Sequence, residues 1–497
     1  MISRVAISIS EEFQERICRQ LERCNNITIC GVLDWREKPN ASNFCDKGFF
    51  WTHDEIVNLH RLDYDPSFSF AHIPPRLLLD LKKYESNFLY MTDRLAFYPR
   101  STSDLSRLYF KFCRVWLRAF LDNNVNALIF FSSPHMGFDF VGYAVAKVLD
   151  IDVRIVNRTG LGVSSRITTG IDLWNNDRLD EIKLEKDPVL FDLDGGGDLD
   201  LSLSNSIAVN DKVFSQHKSR YAFLRVFFKI ILKSLLTDLL RFMQLISSSK
   251  KSRKESFRWI SGPAMIFTAP AKWFFSIETR SLLNFYKKKC ITQIPAKNFV
   301  LFAAHFQPER STNPEGGCYG DHLTAINALL ACMPEGMPIL YKEHPRSFDV
   351  LDMRRRFARN RAYFNTINSC ENVYLVDPFF DNAYLIREAA AVATITGSSG
   401  WQALQIGKPC LVFGDAWYRR CGACLHVSMM DQVSVSQLLN LCEDQVKQKV
   451  EKFIQESSRV FVRAPNSLNL VESSLSNLEY DNLVNNMAFA LSKSLSN

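Results

Sequence analysis

The sequence has no uncharged apolar run of about 18 residues or more, which is the length that a membrane-spanning helix needs. Near the N-terminus, Glu11 and Glu12 interrupt the chain before an apolar secretory region could form. We therefore expect the protein to stay in the cytoplasm, where it is made.

The sequence also lacks the paired cysteine motifs of a zinc site. Among its thirteen cysteines the nearest grouping, Cys421 and Cys424, has no second pair to complete four ligands. The acidic stretch 192–200, DLDGGGDLD, lacks the spacing and the final glutamate of an EF-hand, so it is read as a solvated loop. We interpret the cysteines as reduced thiols, and we predict no bound metal and no cofactor.

Length and composition indicate a globular protein of more than one domain. A chain of 497 residues is too long for a single hydrophobic core. The apolar content of 47% and the charged content of 23% are typical of soluble proteins and exclude wholesale disorder.

The net charge of +7 is modest, but the positive charge is concentrated in the segment 221–258. Apolar residues recur there at helical spacing, with cations between them, and a basic run follows at 247–258. One interpretation is a packed amphipathic helix with a solvated loop, and the other is contact with an anionic membrane surface. No recognisable nucleic-acid-binding module accompanies the basic patch, so we expect no nucleic-acid partner.

Short buried strands alternate with helices in the first third of the chain. Strands are predicted at 26–35, 125–133 and 151–159, and helices at 103–124 and 137–150. Ser103 or Asp104 is the expected N-cap of the first of these helices. This alternation favours a parallel sheet covered by helices.

A second alternating series begins near Pro295. The predicted strands are 298–306, 338–345, 372–378, 391–397 and 408–414, and the predicted helices between them are 320–333, 352–367, 382–390 and 398–407. Such spacing is typical of a doubly wound sheet. The predicted fold class is therefore α/β, with two Rossmann-like doubly wound domains.

The same pattern predicts where the domains divide. Residues 1–290 would form the first domain, with an insertion at about 170–262, and residues 291–445 the second. Residues 446–497 are predicted to form helices that pack back across both.

Polar side chains follow several strands of the second series at the point where each strand ends. In open parallel sheets, ligands bind at this carboxyl edge. Glycine and serine at the start of a helix favour an anion such as phosphate. The exits contain His305, Gln307, Glu309 and Arg310; Lys342, Glu343, His344, Pro345 and Arg346; Ser398, Ser399 and Gly400; and Asp415, Tyr418 and Arg419.

The stretches 302–345 and 394–418 carry a resemblance to a known family. They resemble the capsule polysaccharide and surface carbohydrate biosynthesis proteins of bacteria, a group related to retaining β-Kdo transferases. The resemblance is best over about 298–420, with a fainter echo at 132–151. It implies a GT-B glycosyltransferase, whose two domains face each other across a cleft and whose second domain holds a nucleotide-activated sugar.

The resemblance also implies roles for individual residues. His344, Ser398 and Ser399 would contact the nucleotide phosphate, and Lys342 or Arg346 would add compensating charge. On the first domain, His135 and Asp139 are candidates for the general base. The full set of candidates is His135, Asp139 and Glu309 for catalysis, and Gln307, Lys342, His344, Pro345, Arg346, Ser398, Ser399, Gly400 and Tyr418 for the nucleotide sugar.

The leading hypothesis is a metal-independent transferase that uses a CMP-activated donor, Kdo or another nonulosonate, and a glycan or lipid-linked acceptor. Two alternatives remain open. One is a transferase or epimerase of the same fold that uses a UDP sugar, and the other is a non-catalytic glycan-binding component of an assembly complex.

Overall fold

The computed structural model describes most of the chain. The described residues are 2–24, 26–36, 48–59, 71–95, 101–171, 212–247, 269–295, 298–352, 358–457, 460–468 and 477–496. The acidic stretch 192–200 and the basic run 248–258 lie outside them.

The first half contains a six-stranded sheet in the order β3-β2-β1-β4-β5-β6. Its strands are β1 (Ser3–Ile9), β2 (Ile27–Asp34), β3 (Phe49–Thr52), β4 (Ala127–Phe130), β5 (Asp152–Arg158) and β6 (Ser165–Thr168). All neighbouring pairs are parallel except β5 and β6, which are antiparallel. The strand order reverses between β1 and β4, which makes that pair the topological switch point.

Helices cover this sheet on both faces. They are α1 (Glu12–Glu22), α2 (His53–Leu59), α3 (Pro75–Leu95), α4 (Thr102–Asp122) and α5 (Phe138–Val148). Helix α4 begins earlier than expected, because the hydroxyl of Ser101, not Ser103 or Asp104, accepts the backbone N–H of Asp104 at 3.1 Å. Its apolar side, including Phe112 and Trp116, is buried against α5 and the sheet.

The second half repeats the same strand order in a sheet that is parallel throughout, β12-β11-β10-β7-β8-β9. Its strands are β7 (Val300–Ala303), β8 (Ile339–Lys342), β9 (Val373–Val376), β10 (Ala391–Thr394), β11 (Cys410–Val412) and β12 (Cys424–His426). Here the order reverses between β7 and β10. Two doubly wound sheets confirm the predicted α/β fold class of the GT-B type.

The helices of the second half continue the numbering. They are α6 (Arg220–Ser247), α7 (Ala269–Lys287), α8 (His322–Cys332), α9 (Arg361–Ser369), α10 (Asn382–Glu388), α11 (Ser398–Gln405), α12 (Gln432–Leu439), α13 (Glu443–Ser457) and α14 (Asn477–Ser496). None of the described helices is long and apolar enough to cross a membrane.

The helix predicted at 352–367 does not include residues 358–360, which are not helical, and residues 353–357 lie outside the described part of the chain. Helix α9 begins only at Arg361, and the side chain of Asn360 caps it by accepting the N–H of Tyr363 at 2.8 Å. Arg359, just before the cap, is drawn into the interior by Glu343 and is 1% exposed. Residues 358–360 therefore form a connection that places the side chain of Arg359 in the interior.

Buried contacts join the two halves. The guanidinium of Arg166 on β6 donates to a carboxylate oxygen of Asp415 at 2.9 Å and to its carbonyl oxygen at 2.9 Å. Gly160 lies against the ring of Trp417 so closely that a Cβ there would be 2.7 Å from it. The exit of β11 is therefore fixed to the β5–β6 hairpin of the first half.

The last helices lie on different halves. Helix α13 packs against α11, whereas α14 packs against α1 in the first half. Between them the segment 460–468 pairs with β6 through backbone hydrogen bonds between Ser165 and Val462. The boundaries at 290 and 445 stay predictions; in the structure α7 already contributes Leu282, Leu283 and Tyr286 to the core of the second sheet.

Candidate functional site

The switch point of the second sheet is organised around His305, which follows β7. Its Nε2 atom accepts the backbone N–H of Thr396 at 3.3 Å and lies 3.0 Å from the Thr394 hydroxyl. Because Nε2 is an acceptor, Nδ1 carries the proton and donates to the hydroxyl of Ser311 at 3.3 Å. Burial lowers the pKa of His305 to about 4, so the ring is neutral and links the exits of β7 and β10.

His344 follows β8, the next strand in the sheet. Its Nδ1 atom accepts the backbone N–H of Arg346 at 3.1 Å, which fixes the start of the short helical turn Pro345–Phe348. Burial, reinforced by the positive charge of Lys342, lowers the pKa of His344 to about 3. The neutral ring therefore carries its proton on Nε2, and the half-buried imidazole is a hydrogen-bond donor.

Glu343, between Lys342 and His344, is an internal residue. The sequence placed it where a ligand would bind, but its side chain is fully buried. One carboxylate oxygen accepts the N–H of His344 at 2.8 Å and the hydroxyl of Ser347 at 3.0 Å, and the other accepts the hydroxyl of Tyr341 at 2.7 Å. Glu343 thus shapes the turn that carries His344.

Arg359 is the buried cation that balances Glu343, and the sequence did not single it out. Its Nε atom donates to Glu343 at 2.5 Å. Its other nitrogens donate to Oε1 of Gln307 at 2.6 Å and to Nδ1 of His322 at 2.8 Å. One side chain therefore joins the exits of β7 and β8 to the start of α8.

The predicted binding residues around Arg359 differ in exposure. The side chain of Gln307 forms two hydrogen bonds, because its amide nitrogen also donates to the carbonyl oxygen of Gly320. Lys342 is 5% exposed, and burial lowers its pKa to about 8 against the attraction of Asp377 and Asp381. Pro345 is buried and begins the turn after His344.

Arg346 and Glu309 form a partly exposed pair at the same edge. Nη1 of Arg346 lies 3.5 Å from a carboxylate oxygen of Glu309, and Nη2 lies 3.3 Å from Asp352. The guanidinium also stacks on the ring of Phe306, 4.8 Å from its centre. Arg310, next to Glu309 in the sequence, pairs with Glu315 at 3.0 Å.

The exit of β10 leads into the N-terminus of α11. Ser398 is exposed and Ser399 is half-buried, at a helix start whose first amides have no intrahelical acceptor. Gly400 packs inward, since a Cβ there would lie 2.3 Å from the hydroxyl oxygen of Tyr418. Tyr418 is fully buried and donates to the carbonyl oxygen of Gly397 at 2.5 Å, so it positions the turn.

The sheet order brings these groups to one edge. Because β7 lies between β8 and β10, His305 separates His344 on one side from the start of α11 on the other. The joint contact of His344, Ser398 and Ser399 with a nucleotide phosphate stays a prediction, and this arrangement is compatible with it.

On the first sheet, the exit of β4 carries His135 and Asp139. The carboxylate of Asp139 accepts the backbone N–H groups of His135, Met136 and Phe140 at 2.7–3.0 Å. It therefore orders the loop at the start of α5, while burial raises its pKa. His135 donates from Nδ1 to the carbonyl oxygen of Ser133 at 2.8 Å, which leaves Nε2 as the basic nitrogen of the neutral ring.

At the switch point of the first sheet, Asn466 from a later segment of the chain lies between the exits of β1 and β4. Asn466 accepts a hydrogen bond from Gln14, which follows β1, on its carbonyl oxygen at 2.8 Å. Its side-chain amide donates to the carbonyl oxygen of Phe131, which follows β4, at 2.8 Å. No local sequence signal indicated this contact, because its partners are more than 300 positions away from it.

The described residues contain no group of three or more His, Cys, Asp and Glu side chains placed to hold a metal ion. The requirement for a metal therefore stays a question for experiment, and metal independence stays a prediction.

The second sheet and its exits coincide with a known family. Residues 297–435 match the family model described as capsule polysaccharide biosynthesis protein. The match covers just over a quarter of the chain and confirms the resemblance over that segment. No curated protein matches the sequence.

Solved structures show only distant similarity. The UDP-GlcNAc 2-epimerase of Methanocaldococcus jannaschii, in complex with UDP-GlcNAc and UDP, has 11% identity and a TM-score of 0.24 over 91% of this chain and 99% of that one. KpsC of Thermosulfurimonas dismutans, a β-Kdo 2,7 transferase, has 10% identity and a TM-score of 0.25 over 72% of this chain and 86% of that one. Scores this low carry no argument about what this chain binds.

The network predicts a large effect of removing Arg359. In Arg359→Met, Glu343 would remain buried without its counter-ion, so we expect the free energy of unfolding to fall by about 3–5 kcal/mol. Arg359→Lys keeps the charge but not the planar set of donors, so its loss should be smaller. Urea unfolding followed by circular dichroism measures both. The matched control is Arg361→Met, two positions later and exposed, and an equal loss in this control would contradict the role of Arg359.

The buried histidines predict a dependence of stability on pH. The pKa is lowered to about 4 for His305 and about 3 for His344, and it lies well below its ordinary value for His322. In the unfolded chain these groups titrate near pH 6.5, so between about pH 6.5 and 4 the unfolded chain binds more protons. The free energy of unfolding should therefore decrease as the pH falls through this window, by up to about 1.4 kcal/mol per pH unit for each group.

Urea unfolding of the native protein at several pH values tests this dependence. His344→Asn should show a shallower slope between about pH 6.5 and 4 than the native protein. His53→Asn, at a partly exposed site on α2, is the control variant. Identical slopes for the native protein and His344→Asn would show that His344 is not held neutral by the fold.

Proposed function

We propose that the protein is a glycosyltransferase of bacterial surface polysaccharide biosynthesis. It transfers a sugar, Kdo or another nonulosonate, from a CMP-activated donor to a glycan or glycolipid acceptor. The observation that carries this proposal is His344, a neutral imidazole with its donor nitrogen Nε2 at the carboxyl edge of the second sheet. It lies within the segment that matches capsule polysaccharide biosynthesis proteins.

The chemistry of sugar transfer explains the need for such a donor. When the bond between the sugar and the CMP phosphate breaks, negative charge develops on the leaving phosphate. Hydrogen-bond donors that are already oriented towards this charge stabilise the transition state without reorganisation. In the proposed complex, Nε2–H of His344 and the first amides and hydroxyls of α11 supply these donors.

Because His344 is neutral, another residue must compensate the negative charge of the phosphate. Arg346 follows it in the same turn and is partly exposed, and its guanidinium is held by Phe306 and Glu309. An arginine in this position is suited to two parallel hydrogen bonds with a phosphate. Glu309 would then orient Arg346, in addition to any direct contact with the sugar.

We further propose His135 as the general base that activates the acceptor. Its basic nitrogen is Nε2, since Nδ1 donates to Ser133, and the ring is half-buried at the carboxyl edge of the first sheet. Asp139 would position this loop through its three backbone contacts.

We also propose that the enzyme works in the cytoplasm, in contact with the inner face of the cytoplasmic membrane through the segment 221–258. The described part of this segment is the body of α6, which carries exposed apolar and basic side chains. A membrane location would suit an acceptor that is linked to a lipid.

The role of His344 predicts a selective kinetic defect. Removing one preorganised donor to a developing charge should lower kcat by about 100-fold or more in His344→Ala. The assay measures release of CMP from CMP-Kdo, and His53→Ala is the control outside the site. Full activity of a folded His344→Ala protein would contradict this role of His344, and the absence of CMP release from the native protein would favour a non-catalytic glycan-binding component.

Thermal shift with CMP, UDP and GDP identifies the nucleotide in the same preparations. We expect stabilisation by CMP in the native protein and a weaker effect in His344→Ala. A shift with UDP alone would replace the CMP-activated donor by a UDP sugar.

Metal independence is tested by chelation. If protein groups alone stabilise the leaving phosphate, the rate of CMP release should be the same with EDTA, with Mg²⁺ and with Mn²⁺. Loss of activity with EDTA that is restored by either ion would show that a divalent cation takes part.

A further inference from the structure

Helices α6 and α7 form a two-helix layer on the second half of the protein. The indole nitrogen of Trp273 on α7 donates to the hydroxyl of Ser234 on α6 at 3.0 Å. The inner side of α6 is buried through Phe223, Ile230 and Ser234. These positions are seven and four residues apart, so they lie on one face of the helix.

The opposite face of α6 is apolar but exposed. It carries eight large side chains that are 46–79% exposed and recur at helical spacing. They are Tyr221, Leu224, Phe228, Leu232, Leu235, Leu236, Leu239 and Met243. Phe274 and Ile277 of α7 are 73% and 54% exposed and extend the apolar surface of the layer. We call these ten residues the apolar face.

Positive charge borders the apolar face. Arg225, Lys229 and Lys233 are exposed and follow one another at intervals of four, so they form a row along one side of it. Asp238 is the single acidic residue in the sequence of α6. An apolar stripe with a basic border fits a lipid surface with anionic headgroups, whereas a second copy would bring two basic rows together.

The layer is fastened to the loop that follows His344. Gln216, just before α6, donates to the carboxylate of Asp349 at 3.0 Å and accepts the N–H of Val350 at 3.1 Å. His217 contacts the carbonyl oxygen of Phe348 at 2.8 Å. Val350 also packs with Phe223 and Ile230 of α6, so both helices and this loop share one small core.

We propose that the apolar face docks on an anionic lipid surface. We further propose that docking is coupled, through Gln216 and Val350, to residues 348–350 in the loop that follows His344. The proposal rests on the proposed function for the identity of the pocket beside this loop. A movement of α6 would be transmitted directly to residues 348–350, because Phe223 and Ile230 of α6 pack against Val350. Membrane docking would thereby order the turn that presents His344.

Sedimentation of the full-length protein with vesicles tests the docking. We expect binding to vesicles of phosphatidylcholine with phosphatidylglycerol, and much weaker binding to phosphatidylcholine alone. Lys229→Gln should weaken binding to the anionic vesicles about fivefold, the effect of one basic residue near such a surface. Phe228→Ser with Leu232→Ser should also weaken it, whereas Leu79→Ser, exposed on α3, should not.

Hydrogen exchange of peptides covering 343–352 tests the coupling. Anionic vesicles should slow exchange there in the native protein. Gln216→Ala should still bind the vesicles but lose this slowing. Because neither measurement depends on sugar transfer, an inactive protein that shows both effects would overturn the proposed function alone.

Three results would overturn the inference. The first is the absence of vesicle binding, or binding that ignores both lipid charge and the substitutions in the apolar face. The second is a dimer, seen by light scattering, that the same substitutions dissociate. The third is vesicle binding with unchanged exchange at 343–352, which would remove the coupling.

Discussion

The buried ion pair between Arg359 and Glu343 organises the carboxyl edge of the second sheet. Each charge has lost its water, so each depends on the other and on the neutral groups around them. Glu343 holds the turn of His344, and Arg359 holds Gln307 and the start of α8. The pair therefore holds together three segments that are distant in sequence.

The same burial decides the chemistry available at this edge. Burial lowers the pKa of both imidazoles, and the positive charge of Arg359 near His305 and of Lys342 near His344 adds to this effect, so the fold holds both rings neutral. Their tautomers then follow from the backbone groups that each ring meets. The ring of His305 forms hydrogen bonds that link two strand exits, whereas the Nε2–H group of His344 is a candidate donor to a ligand. Two residues of one type thus take a structural and a candidate binding role.

The sequence was informative where polar groups interrupt apolar strands, and much less so elsewhere. The exits of β7, β8 and β10 were predictable, because charged side chains that follow a buried strand can lie only at the edge of the sheet. Arg359 was not, since four other arginines lie between positions 354 and 361 and only tertiary pairing with Glu343 distinguishes it. Strand β1 was also missed, because it lies in the opening stretch that was considered only as a possible leader.

The two sheets have the same strand order, and their switch points nevertheless differ. In the first sheet Asn466 spans the exits of β1 and β4, because it accepts a hydrogen bond from the side chain of Gln14 and donates one to the carbonyl oxygen of Phe131. In the second sheet the corresponding exits are joined by His305, which leaves His344 and the start of α11 on either side of it. The repeated fold therefore offers a candidate nucleotide crevice at its second switch point, while at the first switch point Asn466 lies between the two strand exits.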